Sequence, residues 1–430
     1  MSTRLRAILC ADWSKHTRKR EVYVADVERR EVRRLAGTWT AARVIEAARE
    51  AAGDGVALAT FDAPIGVPIS YWQELRQVPH FPDGVVNFAA WLPEALKRPR
   101  YFDNARTPWD WGIEQPFFAI SPGAGGRRIW EDTLKRAGVA ALRRVDELTR
   151  AKPVFVTSGI PGTTGSGARE LWRELGMLLG KPGVVTRAKD PLGPAGAGFA
   201  VWPFDGSLDE LLASKTVVVG ENYPRVAYAL ALSREDAGSR APLQIAKTRH
   251  DVRQSALDDL QSHRWLLEWE VRLNDIDAAA DSEDAFDALL TAAGLLRCVL
   301  EGTLLAPEGL VDPVAEGGIL GTGSLDLTRR EATHVVPKEA PGPKPRPSRR
   351  RALPPDMRPR VAGAPRVPQR PPEPDYPCPI KGCDHVFTGS RAGWDLHVAS
   401  MRIHPRWQPD VKDPAERKAL FRRTYPRFFR

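Results

Sequence analysis

Leu5-Arg6-Ala7-Ile8-Leu9-Cys10-Ala11-Asp12-Trp13-Ser14 is the stretch from which the rest of the chain is read. Small and branched apolar residues follow one another almost without polar alternation, which fits a strand covered on both faces, as in the middle of an α/β sheet. The run stops at a carboxylate, so the strand delivers Asp12 to the rim of the sheet. Three later segments bring further acids after similar approaches, and Asp12 is the point on which they are expected to converge.

Glu21–Val27 alternates as a strand should, and a third short strand is predicted near Glu31–Ala36, completing an antiparallel meander. The Ala-rich segment Thr40–Ala52 reads as a helix with Val44, Ile45 and Ala48 on one face, stopped by Gly53-Asp54-Gly55. Val56–Phe61 is a second buried strand, ending in Asp62, and its exit is stiffened by Pro64 and Pro68. Thr216-Val217-Val218-Val219-Gly220-Glu221 repeats the pattern. Arg253–Asn274 is predicted as one long helix. Ser282 caps another, Glu283–Glu301, in which Phe286, Leu289, Leu290, Ala293, Leu296 and Leu300 follow helical spacing. Asp284 and Asp287, three residues apart, share a side of that helix, and Ala285, Ala288 and Ala292 suit close docking on a sheet.

Three strands, a helix and a fourth strand, with acids ending the first and fourth, open a ribonuclease H-like fold. The motifs Ala11-Asp12-Trp13-Ser14, Phe61-Asp62-Ala63-Pro64-Ile65-Gly66-Val67-Pro68, Val201-Trp202-Pro203-Phe204-Asp205, Glu221-Asn222-Tyr223-Pro224 and Asp284-Ala285-Phe286-Asp287-Ala288-Leu289 together resemble the predicted RNase H-like nuclease family known as domain of unknown function 429. The resemblance spans about 1–330. It implies an α/β fold with a mixed sheet flanked by helices, and a metal-dependent nuclease activity. In such a fold, phosphodiester hydrolysis needs Mg²⁺ or Mn²⁺, hard cations that take carboxylate oxygens. The expected set is Asp12 bridging the ions, Asp62 on the neighbouring strand, and Asp284 with Asp287 from the last helix. Glu221 is a fifth candidate, as ligand or as a group orienting water. Acids at strand ends that are merely solvated, or that cap the next element, are the competing explanation for any single one of them.

With 430 residues and 42 % hydrophobic content, the chain is long enough for a large domain and a smaller module. It has no apolar run near the roughly 20 residues of a membrane span, and its first residues lead straight into a strand, so a cytoplasmic protein without a membrane partner is expected. The net charge of +9 is unevenly distributed: residues 331–430 hold 21 Lys/Arg against 10 Asp/Glu, whereas 1–330 hold 42 against 44. A near-neutral body with a basic tail points to a polyanionic partner, most simply DNA or RNA. The region 70–215 reads as an insertion. Trp91, Trp109, Trp111, Phe117, Phe118 and Trp130 make it aromatic, either to pack an irregular subdomain or to stack bases. Gly159–Gly167 precedes a helical pattern and is either an anion cradle or an ordinary loop.

Residues 331–375 carry 13 prolines and read as a disordered linker before a module at 376–430. There Cys378, Cys383, His397 and His404 are separated by four, thirteen and six residues, an order that suits a tetrahedral zinc site with both histidines on a helix. The pattern resembles a Cys-Cys-His-His zinc finger with long spacings, and His385 is an alternative to His404. Phe387, Trp394 and Leu396 are the expected core of the finger. Arg391, Arg402, Arg406 and the run from Arg417 to Arg430 favour phosphate contacts. Cys10 and Cys298 read as buried thiols, and His16, His250 and His263 carry no assigned role. Two other classes compete with a nuclease. One is a non-catalytic nucleic-acid or protein adaptor on the same scaffold. The other is a phosphotransferase, disfavoured because Asp12 is followed by Trp13-Ser14-Lys15-His16 in place of a Gly-rich phosphate turn.

Overall fold

The computed structural model describes residues 5–120, 126–159, 163–180, 198–213, 217–303 and 309–334, together with parts of the chain between 376 and 425. The chain divides into two units, Met1–Pro341 and Gly342–Arg430. The first is an α/β unit built on a mixed seven-stranded sheet flanked by helices. Strands β1 (Leu5–Asp12), β2 (Glu21–Asp26) and β3 (Glu31–Leu35) form the antiparallel meander. Helix α1 (Ala41–Ala52) crosses over to β4 (Val56–Phe61), which lies parallel to β1. The short strand β5 (Phe199–Val201), β6 (Val217–Glu221) and β7 (Arg272–Leu273) complete the order β7-β3-β2-β1-β4-β6-β5.

Both faces of this sheet are covered, which is why β1 and β4 read as nearly unbroken apolar runs. Ala7, Leu9 and Ala11 of β1 face one core with Val44, Ile45 and Ala48 of α1, while Ile8 and Cys10 face the other. Thr40 caps α1, its side chain accepting from the Arg43 amide at 3.3 Å, and Gly53 ends it at φ +57°. On the second face lie α3 (Pro224–Leu232), α4 (His250–Gln261) and α5 (Glu283–Leu300). Ser282 caps α5 by accepting from the Ala285 amide at 3.3 Å. Ala285, Ala288 and Ala292 are buried as the close docking requires. Gly294 allows α5 to cross α3 tightly, since a Cβ there would lie 2.7 Å from the Ala227 carbonyl oxygen.

The helix expected over Arg253–Asn274 is not continuous. It breaks after Gln261, resumes for one short turn at Arg264–Glu268, and passes through Glu270 at φ +51° into edge strand β7. Pairing of Arg272 and Leu273 with Glu31 and Val32 of β3 outweighs the helical preference of that stretch. The insertion follows β4 as a set of short helices and one longer one, α2 (Gly165–Leu179). Most of its aromatics pack inward: Trp91, Phe117, Phe118 and Trp130 are buried, with the Phe118 and Trp130 rings stacked 4.0 Å apart. Trp109 is the exception, at 83 % exposure. No described helix is long and apolar enough to cross a membrane.

In the second unit, Ile380 packs with Trp407, Tyr425 and Phe421, the last of these carried on a helix over Pro414–Thr424. Trp394, Leu396, His397 and His385 lie outside the described residues, as does most of the linker. His404 is described and is not helical, contrary to expectation. Arg417 is not available for phosphate: it is fully buried and donates to the carbonyl oxygens of Trp407 and Gln408, both at 2.8 Å.

Candidate metal centres

Strand register determines which acids meet. Ala11 of β1 lies opposite Phe61 of β4, and the Asp62 amide donates to the Ala11 carbonyl at 2.9 Å, extending the ladder by one residue. Asp12 and Asp62 therefore follow two residues, Ala11 and Phe61, that face the α1 side, and by alternation their own side chains turn to the opposite face. There α5 supplies Asp287. Carboxylate oxygens of Asp12, Asp62 and Asp287 all lie within 4.8 Å of one another, and Asp12 and Asp287 are only 8 % and 1 % exposed.

Two groups that the sequence did not single out complete this cluster. Tyr228 of α3 donates its hydroxyl to one oxygen of Asp287, and the Lys247 ammonium donates to the other. Lys247 sits in a turn before α4, whose position is fixed by Arg253. That guanidinium donates to the Lys247 carbonyl at 2.5 Å and to the Ala280 carbonyl at 2.8 Å. No periodicity marks a lysine in a turn, so nothing in the sequence separates it from a surface residue.

Burial and mutual repulsion raise the affinity of these acids for protons. Asp12 is held well above the usual carboxylate range by burial, then by the charges of Asp287 and Asp62, with Lys247 opposing. Asp62 is pushed up to about 7 by burial and then by the charge of Asp287, with Lys247 opposing and the charges of Glu221 and Asp284 adding to the rise. Asp287 is raised by burial, against the pull of Lys247 and Tyr228. Burial opposes the charge on Lys247, but the surrounding acids outweigh it and its pKa rises. Asp284, half-exposed and one turn before Asp287, is raised by burial and sits at the edge of the cluster, outside the convergent three.

Glu221 ends up elsewhere. It lies opposite Phe61 and so shares the face of Phe61, on the other side of the sheet from Asp12 and Asp62. Both its oxygens are engaged. Arg143 donates to them at 2.6 and 2.7 Å, and the Ile65 amide donates at 2.8 Å. Arg143 is itself fully buried, pairs with Asp146 at 2.7 Å and donates to the Glu316 carbonyl at 3.0 Å. Glu221 thus ties Arg143 to the backbone of Ile65, in the turn that follows Asp62.

In the second unit, Cys378, Cys383 and His404 offer ligand atoms within 4.8 Å of one another, with Cys378 Sγ 3.8 Å from His404 Nε2. Two sulfurs and an imidazole suit a soft or borderline cation, while three aspartates suit a hard one. Burial pushes the Cys378 thiol up to about 11, so the sulfur becomes a good ligand only when a cation displaces its proton. Comparison with protein-family models, with curated proteins and with solved structures gives no match to this chain.

Proposed function

We propose that the chain is a divalent-metal-dependent phosphodiesterase acting on nucleic acid, an RNase H-like nuclease whose cation site is formed by Asp12, Asp62 and Asp287. The observation that carries this reading is the charge imbalance of the cluster: three carboxylates, two of them buried, converge beside one ammonium, that of Lys247. A buried charge without a counter-charge is costly, and a divalent ion with hard oxygen ligands removes that cost. The meander, crossover helix and parallel fourth strand support the RNase H-like assignment. When bound, the cation supplies activation of water and stabilisation of the leaving oxygen. Asp12 and Asp62 hold it from two neighbouring strands, Tyr228 and Lys247 orient Asp287, and Asp284 borders the entrance. We assign Zn²⁺ to Cys378, Cys383 and His404, with His397 as the fourth candidate, and recruitment of DNA or RNA to the basic tail.

One feature favours a second reading, a non-catalytic adaptor: Lys247 already reaches into the cluster and could serve as its permanent counter-ion. Metal titration separates the two. Purified protein should bind Mn²⁺ at a carboxylate site, and Asp12→Asn should weaken that binding by more than the roughly 10–100-fold lost with an outer partner. Cleavage of single-stranded, duplex and hybrid DNA and RNA in Mg²⁺ or Mn²⁺ should vanish in Asp12→Asn and Asp287→Asn. Absence of a carboxylate-dependent Mn²⁺ site, or cleavage unchanged in both variants, would sink the nuclease reading.

A further inference from the structure

Both oxygens of Asp287 accept a hydrogen bond, one from the Tyr228 hydroxyl and the other from the Lys247 ammonium. The two donors are held differently. Tyr228 is buried in α3, with its ring 5.8 Å from that of Phe286 in α5. Lys247 stands in a turn between the exposed residues Ala246 and Thr248, and its own side chain is 32 % exposed. Arg253 pins the carbonyl of that turn, so the freedom left to Lys247 lies in its four-carbon stem. A cleft of about 310 Å³ is lined by Asp62, Tyr228 and Lys247, and it opens the cluster to small ions on the side where the ammonium stands.

A divalent ion held by Asp12, Asp62 and Asp287 would lie about 2.0–2.6 Å from an oxygen of Asp287. An ammonium bonded to the same carboxylate would then stand only a few ångströms away, and like charges that close repel strongly in a buried site. One of the two must yield. A second carboxylate is in place to receive the ammonium. Asp284 precedes Asp287 by three residues on the same side of α5, is half-exposed, and makes no ion pair among the described residues. Of the charges that act on Asp284, that of Lys247 is the largest. Side chains at this spacing on a helix are about 5–6 Å apart at Cβ, within reach of a change of lysine rotamer.

We infer that Lys247 and a divalent cation compete for Asp287, and that cation binding moves the ammonium from Asp287 to Asp284. This rests on the cation site of the nuclease reading, and not on cleavage. Lys247 is a positioning residue that balances Asp287 until the cation takes its place, and so it sets how tightly the site loads. Asp284 serves as the second seat of the ammonium, outside the cation's own ligands.

The test reads Mn²⁺ binding to the full-length protein by calorimetry, counting only the part lost in Asp12→Asn. Lys247→Met should tighten that binding by at least about fivefold, the lower end of the usual coupling between ligands. Lys247→Arg keeps the charge and should stay near the unaltered protein. Asp284→Asn should weaken binding several-fold in the otherwise unaltered chain and have no effect in the Lys247→Met background. Equal or weaker binding in Lys247→Met, or the same Asp284→Asn loss in both backgrounds, would overturn the exchange and leave the cation site standing. Unchanged binding in Asp284→Asn alone would also overturn it, an outcome that can be read even where Lys247→Met does not fold. Absence of bound Mn²⁺ in every one of these proteins would remove the cation site, and the exchange with it.

Discussion

Two buried acidic sites stand back to back at the same rim of the sheet, and they are balanced differently. On the α1 side, Glu221 and Asp146 share the guanidinium of Arg143, and every oxygen of Glu221 has a donor. On the α5 side, Asp12, Asp62 and Asp287 converge with the single ammonium of Lys247. The first arrangement is saturated and closed, as expected of a group whose task is to fasten segments together. The second sets one ammonium against three carboxylates at the edge of a cleft, an imbalance that raises the acids' affinity for protons and that a bound cation would also relieve. Acids of the same chemical type, one strand apart, thus differ in the counter-charges that the fold gives them.

The largest way to break this comparison is to remove the balance from the saturated side. Arg143→Met should leave Glu221 and Asp146 buried and unpaired, costing about 3–5 kcal/mol in urea denaturation. If stability is unchanged, the Arg143 cluster is not the fastening that its geometry indicates. A smaller effect should appear on the unsaturated side as a pH dependence. The folded pKa of Asp62, about 7, lies above the ordinary value of 3.8. An acid raised in this way binds its proton more readily when folded, so its stabilising contribution is full below the unfolded pKa and is lost as pH rises through about 7. Thermal melts in EDTA should therefore rise as pH falls from 8 to 5. Asp62→Asn should flatten part of that slope, Asp205 contributing in the same direction because burial raises it to about 7 as well. Saturating Mn²⁺ should suppress the part due to Asp62. The smallest effect sharpens the role of α5. Ser282→Ala removes the cap three residues before Ala285 and should cost about 1 kcal/mol in denaturant unfolding, with little change in Mn²⁺ affinity if packing, more than the cap, positions Asp287.

The strands carrying Asp12, Asp62 and Glu221 were legible because doubly buried strands leave unbroken apolar runs, and the acids that end them stand out. Asp287 was legible from its place on a capped, periodic helix. The separation of Glu221 from the others was present in the alternation of side chains but required the pairing of Glu221 with Phe61, and register between distant strands has no local signal. Lys247 and Arg143 were not legible: one lies in a turn and the other among arginines near the start of a short helix, and only the folded chain shows what they face. The helix expected through Asn274 failed for a related reason, since the edge of β3 captures Arg272 and Leu273 and overrides local preference. Of the expected finger core, Trp394 and Leu396 lie outside the described residues and Phe387 ends a short strand, whereas the described core draws on Trp407 and Phe421.

The Arg143 anchor also bears on the order in which the molecule can assemble. Its guanidinium joins partners 78 residues away at Glu221 and 173 residues away at Glu316, and Glu221 also accepts from the Ile65 amide across 156 residues. None of these contacts can form inside a local hairpin or helix pair, and each requires the closure of a long loop whose entropy must be overcome first. The turn bearing Asp62 thus acquires its final shape only when three remote parts of the chain have arrived together. The shape of the acid rim therefore depends on contacts that span the first unit.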